Sequence, residues 1–169
     1  MAASHKMPST VYEVRSYADA SSDVVRMASH IHTAAFDHVD QQGWSQQVIA
    51  NLAATDGALL VAAFAGKAPE KTMVGFVLTR IAADEAELLT IAVDPAFQRS
   101  GVAALLIMAA QDELKKGDVA SFFLEVRCDN AGAIACYRKL GFEKIATRRN
   151  YYTDKSGAKV DASIFKLLL

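Results

Sequence analysis

The sequence is poor in the features that set specialised proteins apart. It has two cysteines, Cys128 and Cys136, and two thiols at this spacing form neither a zinc site nor a disulfide framework. Neither charge dominates, with 18 basic against 19 acidic residues, so no surface for nucleic acid or an anionic membrane is indicated. No apolar run is long enough for a membrane span or a secretion signal. A cytoplasmic protein is therefore expected.

Histidines are few as well, and three of the four lie close together. His30, His32 and His38 have no carboxylate at a spacing typical of metal ligands. Residues two apart on a helix also point to different faces. Solvated or packed histidines are expected here, and no metal site.

The chain of 169 residues is long enough for one domain with a sizeable core. Residues 1–9 are expected to be a disordered tail, and residues 10–169 to form a single domain. The apolar periodicities predict the strands 11–17, 57–64, 73–81, 86–93, 121–127, 142–149 and 162–168, and the helices 22–36, 43–54, 101–116 and 130–140. This order combines meanders with a strand–helix–strand crossover, which indicates the α+β class with a mixed central sheet.

A candidate anion site lies in DPAFQRSGVAALL, residues 94–106, where a strand turns into an apolar helix. The first backbone N–H groups of a helix have no partner within the helix and favour an anion. Gly101 would let a phosphate approach the backbone, because no Cβ stands in the way. The alternative is a helix start capped by Ser100, with a glycine that eases helix–sheet packing. The pattern alone leaves both open.

A second candidate site lies in FLEVRCDNAGAIACYRKLGF, residues 123–142. The two-residue period of a strand puts Glu125 on one face, with Phe123 and Arg127. Asn130 is a typical helix cap, and Tyr137 follows two turns later on nearly the same face. A surface glutamate and an ordinary packed tyrosine remain the alternatives.

The loop and its setting resemble the GNAT superfamily of acyl-CoA-dependent N-acetyltransferases, whose signature after a strand is Gln/Arg-x-x-Gly-x-Gly/Ala. Gln98, Gly101 and Ala103 fill the signature positions. The resemblance implies a mixed, mostly antiparallel sheet of about seven strands flanked by about four helices, with acetyl-CoA as co-substrate and no metal. It implies that the cofactor contacts, besides the signature positions, are Ile91, Ala92 and Val93 on the strand and Arg99, Ser100, Val102 and Ala104 in the loop.

A narrower resemblance covers residues 86–168 and rests on ELLTIAVDPAFQRSGVAALL, LEVRCDNAGAIACYRKLGF, RRNYYTD and DASIFKL. These stretches are similar to the RimI type of N-terminal acetyltransferase, which acetylates the N-terminal alanine of a ribosomal protein. The resemblance implies that Glu125 is the general base, that Tyr137 is the general acid and that Tyr137 and Asn130 contact the cofactor. Through GWS at 43–45 and RRNYY at 148–152, it also implies that the acceptor substrate is contacted by Trp44, Arg149 and Tyr151.

The expected function is acetyl transfer from acetyl-CoA to the N-terminal α-amine (Ala or Ser) of a ribosomal or other protein, in a ternary complex. The alternatives are a small-molecule amine as acceptor and an acyl-CoA-binding regulatory module with little turnover. Glu125 and Tyr137 together argue against the regulatory module. A monomer or homodimer is expected, with no nucleic acid or membrane partner. Ala103 and Ala104 replace the family's commoner glycine and basic residue, so phosphate binding is expected to be weaker.

Overall fold

The structure is a computed structural model that describes residues 11–36, 43–67, 69–153 and 156–169. The predicted tail and His38 lie outside these residues. The strands are β1 (Glu13–Tyr17), β2 (Ala58–Ala65), β3 (Thr72–Ala82), β4 (Glu85–Val93), β5 (Ser121–Arg127), β6 (Glu143–Thr153) and β7 (Lys159–Leu168), and the helices are α1 (Ser22–Phe36), α2 (Gln46–Ala53), α3 (Val102–Lys116) and α4 (Ala131–Lys139). None of these helices is long and apolar enough to span a membrane.

The strands form one mixed sheet in the order β1-β2-β3-β4-β5-β7-β6, which confirms the predicted fold class. All neighbouring strands are antiparallel except β4 and β5, which α3 connects as a crossover. The last two strands are longer than predicted: β6 continues to Thr153, and β7 already begins at Lys159. β6 is an edge strand exposed along almost its whole length, so no apolar alternation marks its end.

The sheet has a separate hydrophobic core on each face. Alternate residues of β2 and β3 face opposite ways: Val61 and Val77 pack with α3 and α4, whereas Leu60 and Leu78 pack with α1 and α2. Strands buried on both faces read as continuous apolar runs, as in the ALLVAAFA of β2. The sheet therefore has an α1/α2 face and an α3/α4 face. A site that is accessible from both faces requires an opening between two strands.

Such a passage opens between β4 and β5. Their parallel pairing runs from Glu85 with Ser121 to Leu88 with Leu124, and the described register contains no pair beyond that point. The register of β3 with β4 shifts at the same level, because Thr79 pairs with Leu88 and Leu78 with Thr90. Residue 89 is thus an extra residue in β4, and such a bulge bends its strand. Residues 89–93 and 125–127 consequently border a gap.

The segment before α2 lies against the backbone of α1. A Cβ on Gly43 would lie 2.7 Å from the Cα of Thr33, so a glycine is needed for this approach. Two residues on, the hydroxyl of Ser45 caps α2 by accepting a hydrogen bond from the Val48 N–H at 3.3 Å. Trp44 lies between these two fixed points.

Gly43→Ala is expected to lower the free energy of unfolding by about 1–3 kcal/mol, because the methyl group has no room against α1. Gly132→Ala is the matched control. The same methyl group there meets only the Oδ1 of Asn130 at 3.9 Å, and alanine stabilises a helix by roughly 0.5–1 kcal/mol relative to glycine. Urea unfolding of both variants measures the difference. Effects of the same sign would contradict this account of Gly43.

Candidate active site

The end of β4 presents main-chain groups to the gap. The N–H of Asp94 donates to the carbonyl of Val74 in the segment of β3 at 2.9 Å, so the groups of Asp94 point towards β3. Because these directions alternate along an antiparallel strand, the N–H and C=O groups of Val93 and Ile91 point into the gap, and those of Ala92 point to β3. The gap is thus bordered by Ile91, Ala92 and Val93. Only Ile91 and Val93 offer main-chain groups to a ligand there.

Gln98 ties the next loop to this strand end. Its Nε2 donates to the carbonyl of Val93 at 3.3 Å. In between, a short 3-10 turn (Pro95–Phe97) begins at Asp94, whose carboxylate accepts from the Ala96 N–H at 2.9 Å. The side chain of Gln98, expected to contact the cofactor, is therefore occupied in fixing the loop.

The start of α3 is open. Gly101 occupies the N-cap position with a φ of 90°, in the left-handed region, and no side chain caps the helix. The first helical hydrogen bond runs from the Leu105 N–H to the Gly101 carbonyl at 3.0 Å, which leaves the N–H groups of Val102, Ala103 and Ala104 without an acceptor inside the helix. A Cβ on Gly101 would meet nothing within 4 Å apart from its chain neighbours, so no packing contact in the described protein requires a glycine here.

The alternative in which Ser100 caps α3 is wrong. The hydroxyl of Ser100 donates to the carbonyl of Phe97 and accepts a hydrogen bond from the hydroxyl of Tyr12 at 3.1 Å. Arg99, before it, has a φ of 60°, which is uncommon for a residue with a side chain. The Ser100 hydroxyl is thus bonded within the loop and to Tyr12, and the first N–H groups of α3 have no side-chain cap.

Glu125 is the first residue of β5 beyond its pairing with β4. Leu124 and Val126 belong to the core of the α3/α4 face, so Glu125 lies on the α1/α2 face. Its Oε1 accepts from the Nη1 of Arg148 on β6 at 2.9 Å, and its side chain is 20% exposed. The glutamate is thus a partly buried carboxylate with a cationic partner on an internal strand, and not a surface glutamate.

Tyr137 lies on the other face of the sheet, in α4. It is 6% exposed, and its ring packs edge-on against Phe142 at 5.9 Å between centroids and against Phe165. Burial raises the pKa of its phenol, with further increases from Cys136 and Tyr152. The phenol therefore stays protonated and remains a proton donor at neutral pH.

Asn130 begins α4 as predicted. Its Oδ1 accepts from the N–H of Ala133 at 3.1 Å. Because the oxygen is engaged in the cap, the amide nitrogen is the part of this side chain suited to a ligand.

Tyr152 is a residue that the sequence patterns did not single out. It is partly buried, and its pKa is raised by burial first and then by the charge of Glu125. Tyr152 in turn raises the pKa of Tyr137, so it lies within electrostatic reach of both expected catalytic residues. The stretch RRNYY contains Tyr152, but no local pattern distinguishes it from Tyr151.

The structure separates the neighbouring residues of that stretch. The register of β6 with β7 shifts between Arg148 and Tyr152, which places residues 149–151 in a bulge. Arg149 is exposed, and Tyr151 is 49% exposed, with the guanidinium of Arg148 over its ring at 5.1 Å. Both remain candidates for contacting the acceptor, but their side chains are more exposed than that of Tyr152.

On the α1/α2 face, His32 connects three elements. Its Nδ1 accepts from the N–H of Trp44 at 2.9 Å, and its Nε2 lies 3.1 Å from the Oγ1 of Thr90 on β4. The imidazole is 3% exposed, and burial lowers its pKa to about 4. Its two ring nitrogens are both engaged, which agrees with the expectation that this histidine is packed.

The fold, the open helix start and the gap between two parallel strands are features of the GNAT fold. Residues 25–142 match the Acetyltransferase (GNAT) family, and the chain belongs to that family.

The proteins similar in sequence include two different acetyltransferases. Ribosomal protein bS18-alanine N-acetyltransferase of Escherichia coli (strain K12) is 47% identical over 95 residues, 56% of this chain and 64% of that protein. Mycothiol acetyltransferase of Nocardia farcinica is 34% identical over 137 residues, 76% of this chain and 44% of that protein. Each match thus spans less than two thirds of the relative's own length.

A solved structure is similar over nearly the whole chain. The crystal structure of the ribosomal-protein-S18-alanine N-acetyltransferase from Escherichia coli superposes with a TM-score of 0.80 at 34% identity, covering 94% of both chains. The resemblance to the RimI type is therefore confirmed in sequence and in fold.

Acidification is expected to destabilise the protein through His32. The unfolded chain takes up the proton near the ordinary pKa of 6.5, whereas the folded protein takes it up only near pH 4. The stability linked to this group is therefore complete above pH 6.5 and is lost as the pH falls towards 4, by up to about 1.4 kcal/mol per pH unit. In urea unfolding, His32→Phe should lack this part of the pH dependence. Identical slopes for wild type and variant would contradict the prediction.

Proposed function

We propose that this protein transfers the acetyl group of acetyl-CoA to the N-terminal α-amine of a ribosomal or other protein. The observation that carries the proposal is the gap between β4 and β5, which Glu125 borders on the α1/α2 face, with Tyr137 and the open start of α3 on the other face. The similarity to the Escherichia coli enzyme acting on ribosomal protein bS18 supports the choice of acceptor.

Acetyl-CoA fits the α3/α4 side of this arrangement. Its pyrophosphate matches the unpaired N–H groups of Val102, Ala103 and Ala104, where the helix dipole favours an anion. The amides of its pantetheine arm match the main-chain groups that Ile91 and Val93 turn into the gap. The amide nitrogen of Asn130, at the start of α4, is a further donor on this side.

The acceptor amine must be neutral before it attacks the thioester. At pH 7 about one α-amine in ten is neutral, against about one lysine in a few thousand, because their ordinary pKa values are near 8 and 10.4. A protein N-terminus therefore needs only a modest base. Glu125 accepts the proton, directly or through one water, from the α1/α2 face.

Tyr137 completes the reaction from the opposite face. As the nitrogen–carbon bond forms and the carbon–sulfur bond breaks, the CoA thiolate takes a proton or a hydrogen bond from the phenol. The N–H of Val93 points into the gap and would stabilise the developing oxyanion. No covalent enzyme intermediate is needed, so Cys128 and Cys136 have no part, and the positioning of two bound substrates supplies much of the rate.

A small-molecule amine is the second candidate acceptor. The mycothiol acetyltransferase match favours it, because that match covers 76% of this chain. The two candidates share the acyl-CoA side of the site and differ only in what occupies the α1/α2 face.

The acceptor is tested by incubating the protein with acetyl-CoA and a peptide that begins with Ala. The control peptide has the same sequence with a blocked N-terminus and an internal lysine, and a polyamine and free amino acids represent small amines. Mass spectrometry should show one acetyl group on the free N-terminus only. Acetylation of lysine alone, or of small amines alone, would overturn the proposal.

Glu125→Gln and Tyr137→Phe are each expected to lower kcat by about 10²- to 10⁴-fold, the range typical of a lost general base or acid. CoA binding, measured by calorimetry, should be retained in both. The matched controls are Glu87→Gln, which changes an exposed glutamate paired with Arg80, and Tyr17→Phe on the far edge strand. Near-normal turnover in both site variants would show that the acid–base assignment is wrong.

A further inference from the structure

His32 is the most buried ionisable group near the gap that the proposed chemistry does not use. It lies on α1, and its two ring nitrogens reach two other elements: the segment before α2, through Trp44, and the catalytic strand β4, through Thr90. We infer that His32 is a positioning residue, which holds Trp44 against β4 and so fixes the acceptor-side wall of the gap. This inference deepens the proposed function and rests on it.

The hydrogen bonds determine the tautomer of the ring. The main-chain N–H of Trp44 is a donor, so Nδ1 must carry a lone pair rather than a proton. The proton of neutral histidine is then on Nε2, which donates to the hydroxyl of Thr90 at 3.1 Å. Only the neutral ring makes both bonds, and burial keeps the ring neutral by lowering its pKa to about 4.

Aromatic stacking fixes the indole as well as its backbone. The imidazole lies between Phe36, at 4.3 Å between centroids, and Trp44, at 5.0 Å with only 12° between the ring planes. Gly43, the residue before Trp44, lies against the backbone of α1. The plane of the Trp44 ring is thus set by His32, and the distance of that ring from β4 is set by the bond to Thr90.

The position of Thr90 connects this cluster to the chemistry. Thr90 pairs with Leu78, directly after the extra residue that bends β4, and immediately precedes Ile91. Its hydroxyl faces α1, on the same face as Glu125 and opposite to α3. An acceptor that approaches Glu125 from this face therefore meets a wall whose distance from β4 is determined by His32.

Within the part of the chain that the structure describes, the ring and hydrogen-bond contacts of His32 are uncharged. They come from Phe36 on α1, from Trp44, from Phe76 on β3 and from Thr90 on β4. Loss of the ring's hydrogen bonds is therefore expected to move Trp44 without disturbing an ion pair in these contacts. The acyl-CoA side, on the other face of the sheet, should be unaffected.

Trp44 is the only tryptophan in the sequence, so intrinsic fluorescence reports on its position directly. His32→Phe keeps a stacked ring and removes both hydrogen bonds. It should shift the emission to the red, increase acrylamide quenching and raise the KM for the acceptor peptide by about tenfold, which corresponds to about 1.4 kcal/mol of lost acceptor binding. The KM for acetyl-CoA should change less than about twofold.

Two changes at Thr90 separate positioning from general destabilisation. Thr90→Val removes only the acceptor of the Nε2 proton, and should raise the acceptor KM while leaving the acetyl-CoA KM unchanged. Thr90→Ser retains the hydroxyl and should restore the wild-type values. The inference is overturned if Thr90→Val and Thr90→Ser have the same acceptor KM. It is also overturned if the acceptor KM and the acetyl-CoA KM rise together in His32→Phe.

The fluorescence readout keeps this inference apart from the proposed function. If the wild-type protein acetylates no peptide, the proposed function fails and the acceptor-side role of His32 fails with it. If the wild type is active but Trp44 emission and quenching are the same in His32→Phe, only the positioning role is overturned. A shifted emission with an unchanged acceptor KM overturns it too, because Trp44 would then have moved without consequence for the acceptor.

Discussion

The extra residue at position 89 is the constraint on which the site depends, because it bends β4 away from β5. Up to Leu88 the two strands are ordinary parallel neighbours, and α3 closes their crossover. Beyond it the main-chain groups of Ile91 and the N–H of Val93 have no strand to bond, and only the Val93 carbonyl is bonded by Gln98. Unpaired backbone groups in a sheet are costly when buried. A ligand that supplies amide groups in an extended conformation satisfies them in the way a neighbouring strand would.

The gap also explains how one sheet separates two substrates. A sheet with a core on each face is normally closed, and here the pairing of β4 with β5 ends at Leu88 and Leu124. Under the proposed reaction, the acyl donor lies against α3 and α4 and the acceptor lies against α1 and α2. Glu125 and Tyr137 then act on the same reacting atoms from opposite faces. The alternation along β5 puts Glu125 on the α1/α2 face, whereas Tyr137 packs into the core of the α3/α4 face.

The sequence predicted the parts of this site that depend on local structure. Gly101 at a helix start, Glu125 within a short strand and Asn130 as a cap are each fixed by a few neighbouring residues, and all three occupy the predicted elements. The limits of β6 were not predictable, because an exposed edge strand carries no apolar pattern. The partners of Glu125 and His32 were not predictable either. Arg148 reaches Glu125 across β7, and Thr90 is 58 residues from His32, so both contacts depend on registers that no local pattern encodes.

The pair between Glu125 and Arg148 has a consequence for how an acceptor enters. Arg148 is 54% exposed, and an ion pair with one exposed partner contributes little stability, because water competes for the guanidinium. Under the proposed function, an incoming α-ammonium group carries the same charge as Arg148 and can replace it at the carboxylate. The guanidinium already lies over the ring of Tyr151, which can retain it after the exchange. Under the proposed function, Arg148 thus orients Glu125 in the free protein until the acceptor replaces it at the carboxylate and passes its proton to Glu125.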